Sequence, residues 1–226
     1  MTTLVSIIIP VLNEAALLGG QSMYLTQLRT SSELRIVDGG SLDASAALAK
    51  SITPHVICTG PGRALQMNAG AEGSKADYLL FLHADTVLPE NFASFVVALN
   101  TVRPDWGFFP VRLVPESVAL SVVARFMNWR SKLTGVATGD QAIFVRRELF
   151  EAMKGYAEIP LMEDVELSKR LRKSGRPFIW RSSVRTSSRR WRQRGVFRTV
   201  LLMWELRLLY FFGVSPQRLH RRYYGK

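Results

Sequence analysis

Residues 4 to 10 read Leu-Val-Ser-Ile-Ile-Ile-Pro, an almost unbroken β-branched run closed by a proline. Such a run lacks the alternation of a half-exposed strand, so it belongs inside a parallel sheet covered by helices on both faces. The rhythm returns along the first half of the chain. Strands are predicted at Leu34 to Val37, His55 to Cys58 and Tyr78 to Leu82, with helical spacing after Pro10, from about Leu42 to Ser51 and from about Arg63 to Gly73. This alternation predicts right-handed βαβ units and an α/β fold with a doubly wound sheet, its site at the carboxyl ends of the strands. After Pro104 the pattern turns mixed. Trp106 to Val114 reads as one extended strand, Ser117 to Leu133 as a helix, and Asp140 to Val145 as a strand leading into a helix at Arg147. Glu163 to Ser174 reads as a helix with an acidic first turn and Gly175 and Pro177 past its end. Short strands follow at Phe178 to Trp180 and Val184 to Ser187, then a helix from about Val196 to Phe212.

The 226 residues are 47% hydrophobic and 21% charged, which excludes disorder and suffices for one globular domain, or one with an appendage. The net charge of +12 is concentrated: 17 of the 30 basic residues lie from Lys169 to Lys226, where Glu205 is the one acid. Such a tail suits a polyanion, an anionic membrane surface or a phosphorylated substrate. A single cysteine, Cys58, excludes an intramolecular disulfide. The opening Met-Thr-Thr-Leu lacks the basic region of a secretory signal, so a cytoplasmic location is expected, with the inner face of the membrane as an option. The most apolar stretch, Val200 to Val214, carries Glu205 and Arg207 and is short of the roughly 20 apolar residues a span requires.

Three segments carry candidate chemistry. In VDGGSLD, from Val37, a strand ends in Asp38, glycines Gly39 and Gly40 allow a tight turn, and Ser41 and Asp43 can cap the next helix. A carboxylate there can accept from a base N–H or a sugar hydroxyl, or the segment is a plain turn. In LLFLHADTVLP, from Leu79, an apolar strand delivers His83 and Asp85 to its carboxyl edge, on one face by alternation. Asp85 can hold Mg2+ or Mn2+ beside a diphosphate, with His83 favouring Mn2+, or the two can cap a turn and fill a core. In LMEDVELSKRLRKSGR, from Leu161, Glu163 and Asp164 open a helix and point about 100° apart, so they divide between tasks. One can be a general base toward an acceptor hydroxyl, or both can simply favour a helix N-terminus. Between them, Arg63 after Gly-Pro-Gly stands where a phosphate can meet a guanidinium and free N–H groups, and Gly139 and Asp140 precede a buried strand.

The ordered set SIIIPVLNEA, VDGGSLD, GRALQMNAGA, LLFLHADT, GDQAIFVRR, MEDVELSKRLRKSGR and SRRW resembles a family 2 glycosyltransferase. The resemblance reaches from Ser6 to Trp191 and implies a GT-A fold, a Rossmann-like mixed sheet flanked by helices, here with a basic C-terminal helical tail. It implies a domain over 1–188, with a nucleotide-binding half to about 103 and an acceptor half beyond it, and an extension over 189–226. More narrowly, the chain is similar to a small bacterial subfamily linked to radical SAM enzymes and arsenosugar biosynthesis. By the resemblance, Pro10, Asn13, Glu14, Asp38, Gly39, Arg63, His83 and Asp85 serve the nucleotide sugar. Asp85 is the metal ligand for Mn2+ or Mg2+, and Asp164 is the catalytic base of an inverting transfer. Gly139, Asp140, Glu163, Arg190 and Trp191 serve the acceptor or phosphates. The sequence departs from the family pattern at His83, where many relatives carry the first Asp of Asp-x-Asp, and at Ser187, where they carry the glutamine of Gln-x-x-Arg-Trp.

The donor expected by analogy is a UDP sugar, the acceptor is open, and no nucleic-acid partner is expected. The tail, through the helix over 196–214, can dock on anionic lipid, form a homodimer or remain a solvated surface. Two other classes compete. A nucleotidyltransferase normally needs a Gly-rich basic loop where this chain has Val-Leu-Asn-Glu. A non-catalytic nucleic-acid binder explains the charge but leaves Asp38, Asp85 and Asp164 without work.

Overall fold

The computed structural model describes residues 3–225, apart from the side chains of Arg190 and Arg194. The first half alternates β1 (Val5–Val11), α1 (Ala15–Leu28), β2 (Glu33–Asp38), α2 (Ser45–Ile52), β3 (His55–Cys58), α3 (Arg63–Ala71) and β4 (Tyr78–Phe81). Then come β5 (Thr86–Val87), α4 (Phe92–Val102), β6 (Trp106–Phe108), β7 (Val111–Val114), α5 (Val118–Thr134), β8 (Phe144–Arg146) and α6 (Arg147–Ala152). The chain closes with α7 (Glu163–Leu171), β9 (Phe178–Ile179), β10 (Val184–Ser187), α8 (Arg189–Arg194), α9 (Val196–Phe211) and α10 (Pro216–Tyr224).

A seven-stranded sheet runs β3-β2-β1-β4-β8-β6-β9, its first four strands mutually parallel and β8 antiparallel to both β4 and β6. The order reverses at β1, where chain connections leave to opposite sides and open a crevice at the carboxyl ends of β1 and β4. The run at 4–10 is buried on both faces, as its composition requires. Ile7 and Ile9 enter one core with Leu80 and Leu82, while Ile8 enters the other with Val37, Leu79 and Phe81. Helix α3 lies so close to β1 that a Cβ on Gly70 would sit 2.4 Å from Ile8 Cγ2, which is why that helix carries a glycine there.

Two expectations are corrected. Trp106 to Val114 is not one strand: β6 ends at Phe108 in the large sheet, and β7 belongs to a three-stranded sheet, β5-β10-β7. Pro110, which has no N–H to give a ladder, sits at the crossing. The freed backbone of Val111 is taken up by the Asn128 side chain, which accepts from its N–H at 2.8 Å and donates to its carbonyl at 3.0 Å. The second correction concerns His83 and Asp85. Strand β4 stops at Phe81, so strand alternation does not place them; they lie in a turn in which Thr86 N–H donates to the His83 carbonyl at 3.0 Å. The tail adds α10, which the sequence did not suggest. Leu206 of α9 and Leu219 and Tyr223 of α10 are buried against Met162 and Val165, at the start of α7.

Candidate functional site

The carboxyl ends of β1 and β2 are tied together from behind. The buried Gln66 side chain donates to the carbonyls of Val11 and Val37, both at 2.8 Å, and Gly39 N–H donates to Val11 at 2.9 Å. A Cβ on Gly39 would press on the Gln66 amide at 3.0 Å. Asp38, 3% exposed, ends β2. Its Oδ2 accepts from Gly40 N–H at 3.1 Å and Ser41 N–H at 3.0 Å, while Oδ1 is buried without a hydrogen-bond partner. An orphaned carboxylate oxygen costs free energy unless something donates to it, and a base N–H is a donor of suitable size at a strand end.

The loops after β1 and β2 brace each other. Asn13, held at φ 54°, donates from N–H to Ser41 Oγ at 2.8 Å and accepts from Leu42 N–H at 2.8 Å. Ser41 therefore serves the β1–α1 loop and does not cap α2, as its sequence position suggested. Asp43 does both jobs: Oδ1 accepts from Ser45 N–H at 2.9 Å, and Oδ2 from Ala15 N–H at 3.1 Å. Glu14 N–H donates to Ser45 Oγ at 2.8 Å, and its carboxylate stands 3.9 Å from Arg189. Pro10 pairs with Val37 in the last part of β1.

Across the crevice, β10 brings Thr186 and Ser187 beside Asp85. Ser187 N–H donates to the Asp85 carbonyl at 3.2 Å, and the hydroxyls of Thr86 and Thr186 approach Asp85 Oδ1 at 3.4 Å each. These weak contacts orient the carboxylate without consuming it. Asp85 is half-buried, and the residues fit a divalent cation held by one protein oxygen and a diphosphate. They do not fit a closed protein cage: among the described residues no group of three or more His, Cys, Asp or Glu is arranged to hold a metal.

A chain of contacts leads from there to α7. His83 Nδ1 lies 3.3 Å from Asp140 Oδ1, and its Nε2 edge packs on Gly139, where a Cβ would sit 2.4 Å away. Gly139 N–H donates to Asp164 Oδ2 at 2.7 Å, and Val165 N–H donates to Oδ1 at 2.7 Å. Both Asp164 oxygens keep a second lone pair. Glu163 turns the other way and is buried, 3.9 Å from Arg63 at the start of α3. The residues His83, Gly139, Tyr156, Glu163 and Asp164 line one small cavity. Arg63 is held charged: burial works against it, but Glu163, Tyr224, Asp140 and Asp164 outweigh that cost.

Burial, and then the charge of Asp164, push the Glu163 carboxyl above its ordinary 4.5, against the pull of Arg63. A raised folded-state value means stability present at pH below 4.5 and lost as pH rises through the folded value. Replacing Glu163 with Gln keeps an oxygen for Arg63 and removes that loss. The variant is expected to gain stability relative to wild type as pH rises from about 4 to 7. Urea melts at both pH values check this; a gap independent of pH contradicts it.

The expected donor residues from Pro10 to Asp85 gather along the carboxyl edge of β1, β2 and β4, with Arg63 facing Glu163. Trp191 packs half-buried on Leu113, Leu120 and Ala124. The Arg190 side chain lies outside the described residues. Sequence reading missed Gln66, Thr186 and Asn68. Asn68 clamps Tyr156 through both backbone groups, at 2.8 and 2.9 Å, and so pins the loop over 153–162 onto α3. Its signal was present in the motif GRALQMNAG, but an amide's partner 88 residues away cannot be read from sequence. A cleft of about 590 Å³ beside Arg29, Arg35, His55 and Lys75 lies at the opposite, amino ends of the strands, away from these groups.

Residues 6–99 match the family model described as Glycosyl transferase family 2. Solved structures extend the likeness. S. aureus TarS 1-349 in complex with UDP aligns with a TM-score of 0.63 at 15% identity, over 83% of this chain and 60% of that one. The mannosyltransferase PcManGT from Pyrobaculum calidifontis, in complex with GDP-Man and Mn2+, aligns at 0.59 and 18% identity, over 83% and 57%. Glucosyl-3-phosphoglycerate synthase from Mycobacterium tuberculosis, with Mn2+ and UDP-glucose, aligns at 0.56 and 19% identity, over 81% and 69%. The fold is GT-A. The chain thus spans about three fifths of the TarS 1-349 and PcManGT structures. No curated protein matches it, and none of these findings reaches the narrower radical-SAM-associated subfamily. Together these findings show the fold over most of the chain, with the family match confined to residues 6–99.

Proposed function

We propose that this protein transfers a sugar from a nucleoside-diphosphate sugar to an acceptor hydroxyl, with inversion at the anomeric carbon. The observation that carries this reading is the line of contacts from the Asp85 turn through His83, Asp140 and Gly139 to Asp164. It sets a carboxylate with little protein engagement at one end and a backbone-braced one at the other. Asp38 Oδ1 accepts from the base, and Arg63 and the α3 N-terminus face the phosphates. Asp85, with His83 beside it, would hold Mn2+ or Mg2+, which when bound neutralises charge on the departing diphosphate. Asp164 takes the proton of the attacking hydroxyl, while Gly139 and Val165 N–H groups fix its orientation. Glu163, with its carboxyl buried against Arg63, positions that helix start. UDP is the donor nucleotide favoured here, supported by the UDP and UDP-glucose complexes among the similar structures.

The test is NMR of a nucleotide-sugar panel incubated with protein and Mn2+. An α-linked donor consumed in water should release the β anomer first, before mutarotation. First release of the α anomer would overturn inversion, and the absence of binding of any nucleotide sugar of the panel would overturn the transferase reading.

A further inference from the structure

Helices α5 and α9 lie side by side and present a joint apolar face to solvent. On α5 the exposed residues Val118, Val122, Phe126, Trp129 and Leu133 recur at helical spacing; on α9 so do Phe197, Leu201, Trp204, Leu208 and Phe211. Phe126 joins the two stripes, with ring centroids 5.6 Å from Trp129 and 5.4 Å from Trp204. Trp129 is 60% exposed and Trp204 55%. With Phe212, eleven of the eighteen large exposed hydrophobic residues described belong to this one face. Single exposed apolar residues are ordinary, but a contiguous aromatic patch marks a partner.

The charges around the patch name the partner. Helix α5 has no acidic residue and carries the exposed Arg125 and Lys132. Helix α9 carries Arg198 and Arg207, and its one acid, Glu205, is paired with Arg222 of α10. Arg192 precedes α9 and is exposed. Among the described residues no helix is long and apolar enough to cross a membrane. A cationic rim around tryptophan and phenylalanine side chains, on helices lying in one surface, matches the interfacial zone of an anionic bilayer. We infer that the α5–α9 face docks the protein on an anionic lipid surface, with Trp129 and Trp204 entering the headgroup region. The inference stands apart from the proposed transfer: no residue of this face belongs to the candidate site.

The test is co-sedimentation of the full chain with phosphatidylcholine vesicles containing about one-third phosphatidylglycerol, and with phosphatidylcholine alone. Binding to the anionic vesicles is expected to weaken as salt rises, because the rim attraction is screened. It should come with a blue shift of tryptophan emission. The Trp129→Glu, Trp204→Glu double variant should bind at least tenfold more weakly while remaining folded by circular dichroism, and Arg125→Glu with Lys132→Glu should do likewise. Failure of the wild type to sediment with anionic vesicles would overturn the inference. So would a concentration-dependent dimer in sedimentation velocity that Trp204→Glu dissolves, because the face would then belong to a second copy.

Discussion

Asp164→Asn is expected to lower donor turnover about a thousandfold, in the range of lost general-base catalysis, while nucleotide affinity stays within about twofold. The structure sets this expectation and its control. Asp164 accepts from Gly139 N–H and Val165 N–H, one on each oxygen. An asparagine keeps one oxygen and turns an NH2 toward the other N–H, so one bond is lost, at about 1 kcal/mol of stability. That cost is too small to unfold the protein and does not touch Asp38 or Asp85. A separate Gly139→Ala variant, whose Cβ would collide with His83, disturbs the same contact while leaving the base intact. If Asp164 is the base, Asp164→Asn should be the more severe of the two. Turnover of Asp164→Asn within tenfold of wild type would move the base elsewhere.

The second large effect is a change of base preference in Asp38→Asn. Two neighbouring N–H groups hold Oδ2, and the orphaned Oδ1 demands a donor. In the variant the amide oxygen satisfies Gly40 and Ser41, so the NH2 must point where Oδ1 pointed. An acceptor site becomes a donor site. Uracil and guanine present a ring N–H there, whereas cytosine presents a bare ring nitrogen. Affinity for UDP is expected to fall roughly thirtyfold, about 2 kcal/mol for a lost charge-assisted bond, and CDP is expected to gain on it. Competition binding with UDP, GDP and CDP reads this directly. Equal losses for all three nucleotides would mean that Asp38 shapes the loop and does not touch the base.

The strand rhythm that begins at residue 4 was legible because β1 and β4 bury both faces, and such runs leave little choice but a parallel sheet. Asp38 and Asp164 were legible because one stands at a strand end and the other at a helix start, whereas Asp85 lies in a turn beyond its strand. What could not be read is how the edges meet. The β6–β7 break at Pro110 and the pairing of β10 with β5 depend on a second sheet, whose four-residue and two-residue strands do not say which partners they pair with. Thr186 reaches Asp85 from 101 residues away, and that distance has no local signature. His83 stands where relatives carry an acid, and only the structure shows its ring engaged with Asp140 and Gly139. The tail looked like a basic appendage by charge, yet Leu206, Leu219 and Tyr223 bury themselves against the helix that carries Asp164. Burial of an element is settled by its partner's surface, which the element's own sequence does not contain.

Calorimetric titration of UDP into the protein with and without Mn2+, repeated on Asp85→Asn, tests the central claim most directly. Asparagine keeps an oxygen for the Thr86 and Thr186 hydroxyls, so the fold should hold while the charge beside the diphosphate is lost. The account predicts Mn2+-dependent binding of UDP to the wild type and a roughly hundredfold weaker response in the variant, about 2.7 kcal/mol. UDP binding of equal strength with and without the metal, and unchanged by Asp85→Asn in a folded protein, would contradict it.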